Sequence, residues 1–590
     1  MRIKDALANI HKEHVDDSLI QLTTIWGEKL DKECIWQEYP RPQMQRQHYQ
    51  MLHGVWDYAI VPKTEETSFK SQGEILVPFS PEAFLSGVGR QLQPNEYLWY
   101  QRTLSFSNEE HQRRVNKERC ILHFDAVDQQ AVVYIDGVEV AKHYGGYLPF
   151  EVDITEYVSK VPCVLQVQVE DDSDTSYHTR GKQTLKRGGM FYTAQSGIWQ
   201  SVWYEWVPEK HVKAMKITPD YDNACVKIVL DSSKIFENVC VELEDQSAEH
   251  ETTVEGNSIT ITFKNNEFQP WSPEQPNLYY FKIKADHDEI RSYFAMRLFR
   301  IEKDEKGIPR FCLNHKPYFL NGLLDQGYWP DGLMTAPCDE AFIYDIELAK
   351  NTGFNMIRKH IKIEPLRWYY HCDRLGMIVW QDMVNGGTSY NMAFVCYLPT
   401  VLPNLGIKDK AYARFSRKSE EGRRLWEKEC EDTIEHLYNV PSISTWVPFN
   451  EAWGQFDAAR VAQNVKKQDP TRTVDHASGW FDQKGGDFHS VHNYFRKLKV
   501  KKDDESAFVI SEYGGYACHI TGHSSVERIF GYKKFDSIEE VSKAYKALYK
   551  DQVEPLIEKG LSGVVYTQLS DVEEEVNGIV TYDRKVVKVK

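Results

Sequence analysis

The sequence predicts a multidomain protein: a β-sandwich jelly roll, an immunoglobulin-like β-sandwich and a C-terminal (β/α)8 TIM barrel. Three observations lead there. With 590 residues and 41% hydrophobic content, the chain is too long for one core. Its first half consists of short alternating runs broken by turn signals, whereas from Ile308 onward strand-like runs alternate with amphipathic helical stretches. Finally, Glu451 and Glu512 each follow an apolar strand-like run in the second half, and an acid at a strand's carboxyl end is where a barrel carries chemistry.

In chain order, residues 1–35 read as an N-terminal extension of mixed charge, without the unbroken apolar core of a secretory signal. Residues 36–208 read as the jelly roll, with Asp136-Gly137 in YIDGVEV as the strongest hairpin signal in the chain. Residues 209–302 alternate apolar and polar positions over runs such as CVKIVLD and SITITF, the pattern of the second sandwich, with Trp271 in its core. A TIM barrel needs about 250 residues, and residues 303–590 supply them, with eight candidate strands at YFLNGL, NMIRKH, MIVWQDM, STWVPFN, RTVDHAS, HSVHNYF, FVISEY and GVVYTQL. Between them, DEAFIYDIELAKNTG and SEEGRRLWEKECEDTIEHLYN read as helices, the first with acids in its opening turn and Gly353 at its close.

Composition narrows the function. A net charge of −16 argues against nucleic acid or an anionic membrane as partner, and no run approaches a membrane span, so a cytoplasmic protein is expected. The eleven scattered cysteines, with no C-x-x-C spacing, predict reduced, buried thiols. His519 and His523 lack an H-E-x-x-H context, and no glycine-rich phosphate cradle occurs, so neither a metal nor another cofactor is expected.

The strand ends gather the candidate site: Asp325 and Gln326 after the first strand, Arg358 and His360 at the second, Asp382 at the third, Asn450 and Glu451 at the fourth, His492 and Tyr494 at the sixth, Glu512 at the seventh and Gln568 at the eighth. A lone Glu after an apolar run is more often a solvated loop residue. Two on a rigid barrel can be held about 5–5.5 Å apart in unequal surroundings, one protonated and one ionised, as retaining glycoside hydrolysis requires. Tyr328, Trp329, Trp380, Trp446, Trp453, Tyr513 and Tyr566 fall beside these positions; as a set their rings suit the C–H face of a sugar, while for any one of them core packing is the stronger reading.

Asn450-Glu451, the SEYGG around Glu512, NMIRKH and IVWQDM resemble glycoside hydrolase family 2, the family of β-galactosidases, β-glucuronidases and β-mannosidases, and the likeness runs from Trp36 to Lys590. The resemblance implies a retaining exo-β-glycosidase with Glu451 as acid/base and Glu512 as nucleophile. It implies that Arg358 lies beside the nucleophile, that Tyr494 donates to it, and that Asn450 bonds the sugar hydroxyl next to the reacting carbon. The family's R-x-x-H is here R-x-H, so His360 either takes the family role or caps the strand; Asp382 stands where the family often has Asp-Glu. The jelly roll resembles the family's sugar-binding domain, whose loop Arg187–Gly197 either reaches the site or is a structural turn. The last strand departs most: before Gly578, Glu575 and Asn577 replace the Asn-x-Lys that holds a sugar carboxylate in the glucuronidases. A neutral terminal sugar is therefore favoured, galactose first, arabinopyranose or galactofuranose second, with a non-catalytic carbohydrate-binding protein as the rival. The expected partner is carbohydrate, and a homo-oligomer stays open.

Overall fold

The computed structural model describes residues 18–589 except 65–68, 160, 245–247, 403–404 and 502–503. The first seventeen residues of the extension lie outside the described residues. Residues 18–35 lie on the barrel: the backbone N–H and hydroxyl of Thr24 both donate to Asp331 at 2.7 Å, and Leu22 and Ile35 are buried in the barrel's main core cluster.

The first sandwich sets a four-stranded sheet against a six-stranded one. Strand Cys163–Glu170 alternates buried and half-buried residues along its whole length, which places Leu165, Val167 and Val169 in the core with Trp56, Phe124 and Tyr204 of the surrounding strands. At the Asp136-Gly137 turn both residues have positive φ, +49° and +77°, and Ile135 pairs with Val138 across it. That is the two-residue geometry whose twist matches the flanking strands. The second sandwich pairs a four-stranded with a three-stranded sheet around Ile228, Ile261, Phe281 and Ile290. Trp271 is core as expected, but of the barrel: it is fully buried among Phe299, Phe311, Met356 and Trp380, and its indole N–H donates to the Asp373 carbonyl at 2.8 Å.

All eight candidate barrel strands form. Numbering only these, they are β1 Leu320–Asp325, β2 Met356–Lys359, β3 Ile378–Asp382, β4 Ile443–Val447, β5 Thr473–Val474, β6 Phe488–Asn493, β7 Ala507–Gly514 and β8 Leu561–Thr567. They pair in parallel in the order β5-β4-β3-β2-β1-β8-β7-β6, a barrel in which every neighbour is hydrogen-bonded except β5 and β6. The strands are buried on both faces, as the run of buried residues in β7 shows, because helices cover the outside. The two helices expected from the sequence run over Asp339–Asn351 and Glu420–Leu437, the latter capped by the Ser419 hydroxyl accepting from the Gly422 N–H at 3.0 Å. Among the described residues no helix is long and apolar enough to cross a membrane. All eleven cysteines are free; Cys34 and Cys240 are exposed, against the expectation of burial, because each sits on a polar, solvent-facing segment.

The two sandwiches meet at a buried ion cluster. Arg46 donates to Asp288 at 2.9 and 2.8 Å and to Glu205 at 3.1 Å, and Glu205 also accepts from Tyr39 and Arg41. Removing one partner of such a cluster strands the others as buried charges. Arg46→Met is expected to destabilise the fold by about 3–5 kcal/mol, read as a fall in the midpoint of the first thermal unfolding transition.

Candidate active site

The centre of the barrel mouth is Arg358, at the end of β2 and fully buried. Its planar fork matches carboxylates in pairs. Nε and Nη2 donate to the two oxygens of Asp382 at 2.9 and 3.0 Å, Nη2 also to Asn450 Oδ1 at 2.8 Å, and Nη1 to Glu512 Oε1 at 3.2 Å and the Ser511 carbonyl at 3.1 Å. One side chain thus ties the ends of β2, β3, β4 and β7. His360 reaches the same Asp382 with Nδ1 at 2.7 Å, and burial, with Lys182 and Arg358 nearby, holds its ring well below the usual imidazole range and therefore neutral.

Glu451 lies on the loop after β4 in left-handed backbone, φ +48°, followed by Ala452 at +62°. Two consecutive side-chain-bearing residues in that region cost about 1–3 kcal/mol each, a strain found where surrounding structure over-determines the position. Here the Glu451 N–H is held by the Ser478 carbonyl at 2.9 Å, and at Gly454 a Cβ would meet the Gly386 carbonyl at 2.3 Å. Burial pushes the Glu451 carboxyl up to about 7, with Lys182 and Arg358 opposing. His492 Nδ1 lies 2.7 Å from Glu451 Oε1 and 3.5 Å from Glu512 Oε2, while its Nε2 meets the Ser478 hydroxyl at 3.1 Å. Burial drives this ring down to about 3, so it is neutral between the two acids. One oxygen of each carboxylate and a nitrogen of His492 lie within 4.8 Å of one another. Tyr494 donates to Glu512 Oε2; burial raises its phenol well above 10, so the proton stays on the donor. Tyr532, which carries no motif in the sequence, stacks on Tyr494 with centroids 3.8 Å apart and planes 12° apart.

Eight of the expected residues thus form one network: Arg358, His360, Asp382, Asn450, Glu451, His492, Tyr494 and Glu512. The Nδ2 of Asn450 and the indole N–H of Trp453 are buried with no partner among the described residues. Trp453 packs against Phe191 at 5.6 Å and Tyr390 at 6.1 Å, so the Arg187–Gly197 loop of the first sandwich meets the barrel mouth here. Three expected residues stand outside the network. Asp325 pairs with Lys359 and accepts from the Gly327 N–H at 2.8 Å, next to Gln326; Gln568 donates to Asn577 Oδ1 at 2.8 Å. Most of the flanking aromatics are core: Trp380 packs on Phe488 at 4.9 Å inside the barrel, and Trp446 donates outward to Asp469 at 2.9 Å. Lys182, absent from the sequence reading, lies with its ammonium 5.4 Å from the Trp453 ring. A lone lysine in a polar stretch of the sandwich carries no signal of that placement.

Three family models match the chain in order: the family 2 glycosyl hydrolase sugar-binding domain over residues 88–208, a second family 2 domain over 210–297, and the family 2 TIM barrel domain over 306–586. A putative β-glucuronidase of Formosa agariphila is 25% identical over 473 residues, 72% of this chain and 51% of that protein. A β-galactosidase of Thermoanaerobacter pseudethanolicus is 21% identical over 459 residues, 72% of this chain and 55% of that one. The chain therefore spans about half the length of these curated relatives. Among solved structures, a β-D-glucuronidase from Dictyoglomus thermophilum shares the fold with a TM-score of 0.70 at 17% identity, over 93% of this chain and 96% of that one. With all three domain models matched in sequence along one chain, the protein belongs to the family 2 glycosyl hydrolases.

Proposed function

We propose that the protein is a retaining exo-β-glycosidase that works by double displacement. The observation that carries this reading is the approach of Glu451 and Glu512 within 4.8 Å in unequal surroundings. That separation suits direct attack by one carboxylate, whereas inversion needs about 6.5–9.5 Å to admit a water. Glu512, oriented by the hydrogen bonds it accepts from Arg358 and Tyr494, attacks the anomeric carbon. Glu451, held protonated by burial, gives its proton to the leaving oxygen, then takes one from the water that releases the sugar with retained configuration. The free Nδ2 of Asn450 is the donor for the hydroxyl beside the reacting carbon, an interaction that strengthens as the oxocarbenium-like state forms.

For the sugar, Glu575 and Asn577 favour a neutral, galactose-like residue. Asn577 donates to Glu575 at 3.0 Å and accepts from Gln568, and Glu575 also accepts from Tyr192, so this pair offers no cation to a uronate. A second reading, an acidic sugar, is favoured by Lys182, and the relatives named above include both β-galactosidase and β-glucuronidase.

Glu512→Gln is expected to lower kcat at least about 1000-fold on nitrophenyl glycosides. Glu451→Ala should leave kcat/KM on nitrophenyl glycosides, whose leaving groups need little proton donation, far less affected than on an alkyl glycoside, while kcat falls on both because the attacking water loses its base; equal losses of kcat/KM on both would remove Glu451 from the acid role. Because the Glu451 carboxyl is raised to about 7 and acts protonated, kcat/KM should be high below that pH and fall as pH rises through it. Arg358→Met, which leaves Asp382 and Glu512 buried without their cation, should remove activity and cost about 3–5 kcal/mol of stability; calorimetry beside the activity assay checks both.

A further inference from the structure

The described structure holds a cleft of about 420 Å³ that shares no residue with the network around Arg358. It lies between the first sandwich and a helix on the outside of the barrel, where strand Val138–Tyr144 and the loop that follows it face the helix Glu420–Leu437. Pockets for small molecules form preferentially at such domain interfaces. Trp426, Glu429, Thr433 and His436 recur at intervals of three and four, so one stripe of the helix forms a wall. Leu148 and Pro149 of the sandwich, with Ile363, Met383 and Val384 of the loops after β2 and β3, supply most of the remaining apolar lining.

Glu429 is half-buried in that wall. Its Oε2 accepts from the Thr179 hydroxyl, while Oε1 receives no donor and the carboxylate makes no ion pair among the described residues. Gly145, φ +108°, passes beside it: a Cβ there would lie 3.4 Å from Oε1, so the absent side chain leaves that oxygen open to the cleft. Burial pushes the Glu429 carboxyl up to about 7, with the Thr179 hydroxyl and the charge of Arg417 opposing and Asp432 adding to the rise. Seven residues on, about 10 Å along the helix axis, His436 has neither a hydrogen bond nor an ion pair among the described residues, and burial, with Arg41 nearby, lowers its ring to about 4. His143, whose Nε2 meets the Gly145 carbonyl at 3.0 Å, is lowered to about 4 by burial as well, so both rings are neutral. Lys428 is paired with Asp432, and Glu435 adds a further acid to the lining. The cleft thus offers apolar walls and a carboxylate without a counter-ion.

We propose that this cleft is a binding site for a small organic cation, an aromatic or alkyl amine whose apolar body lies against the walls and whose ammonium pairs with Glu429. Charge decides among the possible occupants. A carboxylate or phosphate would meet Glu429, Asp432 and Glu435 with no unpaired cation to receive it, and a neutral apolar molecule would desolvate Glu429 further without a partner. An ammonium at Oε1 instead completes the carboxylate with a charge-assisted hydrogen bond.

The test is calorimetric titration of the full chain with 2-phenylethylamine and tryptamine, beside 2-phenylethanol and phenylacetate as neutral and anionic counterparts. The amines should bind at least about 10-fold more tightly than the alcohol, and phenylacetate not at all. Glu429→Gln should weaken the amines at least about 10-fold and leave the alcohol nearly unchanged, whereas Leu425→Trp, which fills the cleft, should abolish both; thermal melting checks that each variant folds. Because an ammonium selects the ionised carboxylate, amine affinity should rise with pH through about 7 and binding there should release a proton, seen as heats that depend on the buffer's ionisation. Glu429→Gln should lose that dependence. Glu512→Gln should bind the amines as wild type does, since pairing with the barrel-mouth acids would be lost there instead. These readouts need no turnover, so they stand whether or not the glycosidase reading holds. No amine binding at millimolar concentration, affinity unchanged in Glu429→Gln or Leu425→Trp, or a loss confined to Glu512→Gln would each overturn the proposal.

Discussion

A single buried guanidinium sets the geometry of the barrel mouth. Arg358 has no exposure, so its charge is tolerable only with its partners present, and those partners are Asp382, Asn450 and Glu512, on three other strand ends. The Arg fork is rigid and planar, so satisfying it fixes where each oxygen stands. Asn450 is held through Oδ1, which turns its amide nitrogen free into the site. A second ionic layer supports the first: Lys359, next to Arg358 on β2, pairs with Asp325 of β1 and with Glu364, which also holds Lys362. Asp325, a site candidate from the sequence, therefore supports β2 rather than joining the carboxylate network.

Around this frame two identical functional groups receive opposite treatment. Glu512 faces a cation and a phenol, both donors. Glu451 faces a neutral imidazole, apolar packing and a backbone strained into left-handed conformation. Buried carboxyls respond to such differences by separating their protonation states, which is how one site holds an acid and a nucleophile together at neutral pH. His492 between them must be neutral for this to work, since an imidazolium would stabilise both anions. Burial, driving that ring to about 3, secures it.

The fold class and all eight barrel strands were legible because their signals are local: period-two runs, capped amphipathic helices, and acids at strand ends. Asp136-Gly137 carried its hairpin for the same reason. Within the site, the residues readable in advance were those at strand termini, where topology alone brings them to one face. Trp446 and Trp380 are core, the stronger of the two readings open to them, but a tryptophan in an apolar run says nothing of which way it points; one donates outward to Asp469 and the other fills the barrel interior. Trp271 was legible as buried but not as belonging to the barrel. Tyr532 and Lys182 were not legible at all. Each reaches the site from a loop or a different domain, and such contacts depend on tertiary packing that no local pattern encodes.

The site is accordingly a joint product of barrel and sandwich. Barrel strands supply the reacting groups, while the segment from Thr179 to Thr193 closes one side with Phe191 on Trp453, Tyr192 on Glu575 and the ammonium of Lys182. Surface charges are screened beyond about 8 Å at physiological ionic strength, so the chain's net charge of −16 acts on encounter with a substrate, while the groups lining the mouth act on it at contact range.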